Sequence, residues 1–263
     1  MLRDITIGQY YPSGSPVHKL DPRTKILITF IYIIGLFFIQ SFIGYAFVAL
    51  SFYAAVRVSK VPLKFMLKGL KSIMFILLFT VVLNIFFTAS GNVIFSLGFI
   101  KITDEGLITA AKMGIRLMLL IVGSSLLTLT TSPIELTDGI ERLLSPFRKI
   151  GVPAHEIAMM MSIALRFIPI LLEETDKIMK AQMARGADFE SGNIIQRAKA
   201  MIPIMVPLFI SAFRRADELA MAMEARCYRG GVGRTRLHSL KYKTQDMIAF
   251  VIAALFLGIC ILL

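Results

Sequence analysis

The chain has 263 residues; 56% are apolar or aromatic (AVILMFWYC) and only 17% are charged, against roughly 25% charged in soluble domains. Its 29 lysines and arginines outnumber 17 acidic residues, giving a formal net charge of +12, and its mean hydropathy is +0.74. An ordinary soluble enzyme is thereby excluded, and whether the basic balance means nucleic acid or membrane depends on where the charges sit.

Residues 1–25 carry four basic residues and no apolar core of a signal peptide, so no cleavable leader is expected. Four stretches then hold no Asp, Glu, Lys or Arg: 26–56, 72–100, 117–134 and 247–263. A membrane-spanning helix needs about 20 mostly apolar residues. The last three stretches each predict one span, with a few flanking residues included. The first is too long for one upright helix at about 1.5 Å per residue, and Gln40, Ser41 and Gly44 offer a turn near its middle. Read as a hairpin, it gives five spans, with residues 1–25, 57–71 and 132–243 on the cytoplasmic side. That places 26 of the 29 basic residues inside, as the positive-inside rule requires. A single first helix would strand the N-terminal basic residues outside. The basic charge is thus mostly topological anchorage against an anionic inner leaflet. No nucleic-acid partner is expected, because no nucleic-acid motif accompanies the charge.

Smaller features follow the same order. Asn84 is expected to bridge helices in the third span. Lys112 and Arg116, one turn apart near the outer end of the fourth, are expected to snorkel to the interface. Arg166, beside Pro169, is a candidate to bond carbonyls freed by a proline kink. His18, His155 and His238 are scattered without ligand spacing. Cys227 and Cys260 fall on opposite sides of the membrane in this topology, so neither a disulfide nor a metal site is expected.

Residues 132–243 concentrate charge of both signs and read as helices. Ser132-Pro133-Ile134-Glu135 is a capping box with proline at the first helical position, opening a short helix to about Leu144, where Ser145-Pro146 stops it. Pro153 opens a second helix. Its apolar stripe runs through Ile157, Met161, Ala164, Ile168, Leu171, Leu172, Ile178 and Met179 at steps of three and four, kinked at Pro169 and ended by Gly186. About 32 residues make a rod of roughly 48 Å, with too many charges to span. A third helix runs from near Ser191 to about Cys227. Its first half is apolar and bent by Pro203 and Pro207; its second half is amphipathic. The two long helices end alike: Ala181-x-x-Ala184-Arg185-Gly186 and Ala222-x-x-Ala225-Arg226-Cys227. Each tip presents one Arg behind small residues. A basic residue at a helix C-terminus commonly just complements the dipole, but the matched pair reads as a docking device. The planar guanidinium fork binds carboxylates bidentately.

The N-terminal run SGSPVHKLDPRTK (residues 13–25), the Ala184-Arg185-Gly186 tip and the Ala225-Arg226-Cys227 tip followed by Tyr228-Arg229-Gly230 together resemble the transmembrane T component of energy-coupling factor transporters, the EcfT/CbiQ family. The resemblance covers essentially the whole chain. It implies an all-α integral membrane protein of about five spans plus a cytoplasmic-side module with two long crossing helices. The corresponding division is 1–131 (four spans), 132–243 (coupling helices) and 244–263 (last span), N-terminus cytoplasmic and C-terminus outside, in a prokaryotic plasma membrane. It also implies that Ala184, Arg185, Gly186, Ala225, Arg226 and Cys227 are the contacts to two ABC-type ATPases. A small substrate-binding S component would be the third partner, for import of vitamins or transition-metal ions. Cys227 departs from the family's usual glycine, which puts the second cap in question more than the docking. The methionines Met159, Met160, Met161, Met201 and Met205 offer an adaptable surface for S components, set against plain apolar filler. No cofactor is expected in this chain: it has no Walker A motif, so ATP would be bound by partner subunits. HExxH and G-x-S-x-G are likewise missing. The alternative, a self-sufficient secondary transporter, needs intramembrane polar groups or broken helices, in which these spans are poor.

Overall fold

The computed structural model describes residues 10–87, 92–97, 100–189, 193–231 and 240–263. The chain is an all-α membrane protein carrying one small hairpin, and it divides into two compact units. Among the described residues, one comprises those within 10–139 and 240–263; the other comprises 140–189 and 193–231.

The first unit begins with α1 (Pro22–Phe38) and α2 (Phe42–Ser59), so the charge-free stretch 26–56 is a hairpin. Its turn falls at Gln40 and Ser41; the Ser41 hydroxyl caps α2 by accepting the Ile43 N–H at 3.3 Å. Helix α3 (Leu63–Phe87) bends by 62° between its Leu63–Lys71 and Ile73–Phe87 arms. Two short antiparallel strands follow, β1 (Val93–Leu97) and β2 (Ile100–Thr103). The charge-free stretch 72–100 is therefore not one span to its end: residues 93–97 form a strand and Ile100 begins its partner. Helix α4 (Asp104–Thr130) starts earlier than its charge-free part, because Thr103 caps it by accepting the Gly106 N–H and Asp104 and Glu105 suit its positive N-terminal end. Helix α5 (Pro133–Leu144) opens with the expected reciprocal box, Ser132 N–H to Glu135 at 3.2 Å and Glu135 N–H to Ser132 Oγ at 3.3 Å. Helix α8 (Thr244–Leu262) closes the chain.

Helix α3 packs along α4, α1 along α8, and α4 also meets α1 and α2. One buried cluster joins Leu36, Ile39, Tyr45, Val48, Leu119 and Cys260; a second joins Val56, Val61, Met66, Leu70, Val122 and Leu129. The close approach of α1 to α4 needs Gly123, since a Cβ there would run into the Tyr32 ring. That ring is held by its hydroxyl, which donates to the Leu119 carbonyl at 3.0 Å. An apolar cleft of about 760 Å³ lies among α1, α2, α4 and α8, from Lys25, Thr130 and Gln245 at one end to Phe47 and Ile259 at the other. Large apolar side chains face outward, Phe75 and Phe87 at 79% and 80% exposure; in water such surface would be an aggregation hazard, and lipid is its natural solvent.

Two expectations for polar residues in this unit change. Arg116 does not snorkel. Its Nη2 donates to the Ile39 carbonyl at 2.9 Å and its Nε to the Tyr45 hydroxyl at 3.0 Å. The tight turn after α1 leaves the Ile39 carbonyl without a helical partner, and a charged donor satisfies it. Asn84 donates to the Thr80 carbonyl of its own helix at 2.9 Å instead of bridging to a neighbour.

The second unit holds a 3-10 turn (Ser145–Ile150), α6 (Ala154–Ala184) and α7 (Ile194–Ala225). Helix α7 begins at Ile194, with the Gln196 side chain accepting the Asn193 N–H at 3.1 Å; Ser191 and His238 lie outside the described residues. Arg166 is exposed and makes no hydrogen bond to a kink carbonyl among the described residues. Among the described residues, five helices are long and apolar enough by length and composition to cross a membrane, α2, α4, α6, α7 and α8, and the bent α3 makes a sixth if its two arms count as one span. This set corrects the expectation that charge excludes α6 from spanning. Its charges cluster in the second half, while residues 154–172 hold only Glu156 and Arg166.

Candidate functional site at two helix tips

Arg185 is the C-cap of α6 (φ −89, ψ 6). Gly186 follows with φ +88; its N–H donates to the Met183 carbonyl at 2.9 Å, and the Ala187 N–H reaches the Gln182 carbonyl at 3.0 Å. These are the paired bonds of a Schellman cap, which turns the chain sharply off the helix and needs a left-handed residue just after the C-cap. Glycine takes that conformation without steric cost.

Arg226 repeats the arrangement on α7, at φ −91 and ψ 14. Cys227 takes the left-handed position at φ +53. Its N–H donates to the Glu224 carbonyl at 2.8 Å, and the Tyr228 N–H to the Met223 carbonyl at 3.0 Å. The departure from glycine therefore leaves the cap's hydrogen bonds intact, at a backbone cost of about 1 kcal/mol for a residue with a Cβ. Both tips are exposed, Ala184 and Ala225 included. Neither guanidinium has a hydrogen-bond or ion-pair partner among the described residues. Each sits where its charge opposes the negative helix end, with its fork free.

Two contacts fix how the helices lie. Arg215 of α7 pairs with Glu174 of α6 at 3.0 Å, and Gln182 of α6 reaches the Pro203 carbonyl of α7 at 3.4 Å. Moving forward along α6 means moving backward along α7, so the helices run antiparallel across their contact. The two arginine tips thus project from opposite ends of the pair, on the order of 30 Å apart by helix rise. Met160, Met161, Met201 and Met205 are exposed on these helices and Met159 is half-buried. No cluster of three or more His, Cys, Asp or Glu side chains suited to a metal occurs among the described residues. Cys227 is exposed and Cys260 buried.

The N-terminal run forms a different kind of site, one that sequence reading treated only as a signature. Asp21 caps α1, accepting the Arg23 N–H at 3.0 Å and its guanidinium at 2.8 and 2.9 Å. Burial alone would raise the Asp21 carboxyl, but the Arg23 fork and N–H outweigh it and hold the group below the usual aspartate range. Arg23 also stacks on Tyr242, 3.9 Å from the ring centroid. The Asp21 N–H donates to Asp246 Oδ1 at 2.8 Å, while Asp246 Oδ2 accepts the Lys243 N–H at 2.7 Å. Lys25 is buried, its ammonium donating to the carbonyls of His18 and Thr130 at 3.0 and 2.8 Å. Ser15 and Ser13 lie 2.7 and 3.2 Å from His18 Nδ1, and Nε2 lies 2.8 Å from the Tyr11 carbonyl. Because a carbonyl only accepts, Nε2 carries the proton; in the neutral ring Nδ1 accepts from the nearer Ser15, while the Ser13 hydroxyl donates to the Ser59 carbonyl at 2.8 Å. This polar joint ties the starts of α1 and α8 to the end of α4.

The helix order, the joint and the paired tips can be set beside known proteins. Residues 13–238 match the CbiQ family, described as cobalt transport protein. The chain is 62% identical over its full length to the energy-coupling factor transporter transmembrane protein EcfT of Clostridium kluyveri, covering 97% of that protein. It is 60% identical to the protein of the same name from Thermosediminibacter oceani and 50% to that of Bacillus subtilis, covering 97% and 95% of this chain and 96% and 95% of theirs. The chain belongs to the EcfT/CbiQ family of transporter transmembrane components. It is accordingly a multi-pass membrane protein of a transport system.

Proposed function

We propose that this family member couples two ABC-type ATPases to a membrane-embedded, substrate-binding S component, for uptake of a vitamin or a transition-metal ion. It does so without catalysis of its own, and ATP is bound by the partner subunits. The N-terminus is cytoplasmic and the C-terminus outside. The observation that carries this reading is the matched pair of capped tips, which present Arg185 and Arg226 with the same backbone geometry and with guanidinium groups that no described residue partners. Ala184 with Gly186, and Ala225 with Cys227, keep the approach to each arginine open, so a carboxylate-lined groove on each ATPase can take a fork bidentately.

When ATP closes the ATPase pair, the two tips move relative to each other, and α6 and α7 carry that movement along their length. The exposed Met160, Met161, Met201 and Met205, with Met159 beside them, supply a deformable apolar face for the S component. Differential contact in the two arrangements then shifts the S component between its states.

The test is charge reversal in the assembled complex. Arg185→Glu and Arg226→Glu should each weaken ATPase engagement about thirtyfold or more, the scale for breaking a charged contact at an interface. The double variant should abolish uptake while the chain still inserts. Normal uptake by the assembled double variant sinks the proposal.

A further inference from the structure

Polar contacts beyond the caps tie each tip to the other long helix. At the α6 tip, the Gln182 backbone carbonyl accepts the Ala187 N–H inside the cap, while the Gln182 side-chain amide donates to the Pro203 carbonyl of α7 at 3.4 Å. That carbonyl lacks its ordinary helical donor for a definite reason: the residue four positions on is Pro207, which has no N–H. One residue thus belongs both to the α6 tip and to the proline-interrupted stretch of α7.

At the α7 tip, the Tyr228 N–H closes the cap. Its hydroxyl meets Nε2 of His155, in the first turn of α6, at 3.1 Å, and Nδ1 of the same ring faces the Glu141 carboxylate of α5 at 3.1 Å. A carboxylate only accepts, so Nδ1 carries the proton and Nε2 accepts from Tyr228. A Cβ on Gly231 would lie 2.5 Å from the His155 ring. The backbone there lies flush against the imidazole and leaves it no room to swing toward Gly231.

We infer that Gln182 on Pro203 and His155 on Tyr228 are reciprocal braces, which set the separation of Arg185 and Arg226 within this chain. A rod interrupted by Pro169, or by Pro203 and Pro207, lacks part of its hydrogen-bond ladder and bends where the bonds are missing. A lever with soft joints loses motion unless its ends are held. The braces hold them: displacement of the α6 tip pulls on the proline-interrupted stretch of α7, and displacement of the α7 tip pulls on the start of α6. Gln182, His155 and Tyr228 are positioning residues here. Their use in transport rests on the coupling reading; the separation they set does not.

The experiment measures the distance between spin labels in the full chain in lipid nanodiscs. Labels go on Lys180→Cys and Met221→Cys, both exposed and about one turn short of the tips, with Cys227 and Cys260 changed to serine. The braced chain should give one narrow distribution. Tyr228→Phe removes a single oxygen and keeps the backbone cap; Gln182→Leu removes the other brace. Each should raise the displaced population roughly fivefold, the effect of losing one ordinary hydrogen bond. Gln182→Leu combined with Pro207→Ala separates bracing from local repair, because the alanine restores an N–H for the Pro203 carbonyl. Persistent broadening in that double variant supports the brace. Unchanged distributions in the single variants, or full recovery with Pro207→Ala, overturn it. Uptake per ATP in the complex is read separately. If Arg185→Glu with Arg226→Glu leaves uptake intact while Tyr228→Phe still broadens the distances, the coupling reading fails and the braces stand.

Discussion

At residues 13–25 nearly every polar side chain ends on another part of the chain, whereas at the two helix tips the arginines end on nothing described. Asp21 holds Arg23, Asp246 holds the Asp21 backbone, and Lys25 spends its ammonium on two carbonyls of its own chain. Among the described residues Thr24 Oγ1 is buried without a partner, and the Lys19 side chain is exposed. At Arg185 and Arg226 the backbone N–H groups of the caps are bonded, and no described residue partners either guanidinium. Both regions are equally distinctive as sequence. A buried charge must be satisfied internally or it costs several kcal/mol, so the first region consumes its chemistry in holding the fold. The tips keep theirs available.

Charge reversal and joint removal should therefore give opposite signatures. Arg185→Glu with Arg226→Glu should abolish uptake yet cost only about 1–2 kcal/mol of stability in total, the scale of an unfavourable charge at two exposed helix C-termini. A thermal unfolding scan of the detergent-solubilised chain checks the second half. Asp246→Ala should do the reverse in kind. It leaves the N–H groups of Asp21 and Lys243 without an acceptor, costing about 2–6 kcal/mol at about 1–3 kcal/mol for each unsatisfied group. Asp246→Asn keeps one acceptor oxygen and should lose about half as much. If Asp246→Ala melts like the parent, the joint contributes nothing and the contrast between the regions collapses.

Much of this was legible in the sequence, for identifiable reasons. Absence of charge located the apolar helices, and Gln40-Ser41 located the hairpin turn. Ser132 and Glu135 announced a cap three residues apart, and Gly186 announced a left-handed residue. These are local signals, written within one turn of where they act. What escaped was written across the chain. The Asp21–Asp246 contact spans 225 residues, and Arg116 serves a carbonyl 77 residues away. Neither partner carries a local mark of the other. The strand pair escaped because apolar runs of five residues fit a strand as well as the end of a helix. The apolar half of α6 escaped because charges were counted over the whole rod.

The two tips differ at one position, and that difference sharpens the comparison between them. Gly186 and Cys227 occupy the same left-handed place, at φ +88 and +53. Cys227→Gly should stabilise the α7 tip by about 1 kcal/mol, and Gly186→Ala should destabilise the α6 tip by a similar amount. Amide hydrogen exchange at Tyr228 and Ala187, whose N–H groups close the two caps, reads each tip separately. Equal exchange before and after Cys227→Gly means the cysteine carries no strain.

The smallest expected effect belongs to the joint and depends on pH. The Asp21 carboxyl is held below its ordinary value of 3.8 because the charged form gains the Arg23 fork. A group depressed in the folded state contributes its stability above the unfolded value and loses it as pH falls through the folded one. The Asp21 contribution is therefore intact at neutral pH and fades only below about pH 4. Asp21→Asn should melt below the parent at pH 7, and the gap should narrow as the buffer is taken from pH 5 to pH 3. The tips predict no such convergence, since an arginine stays charged throughout that range. A constant gap for Asp21→Asn would mean that the capping geometry, shared by Asp and Asn, matters and the Asp21–Arg23 charge pair does not.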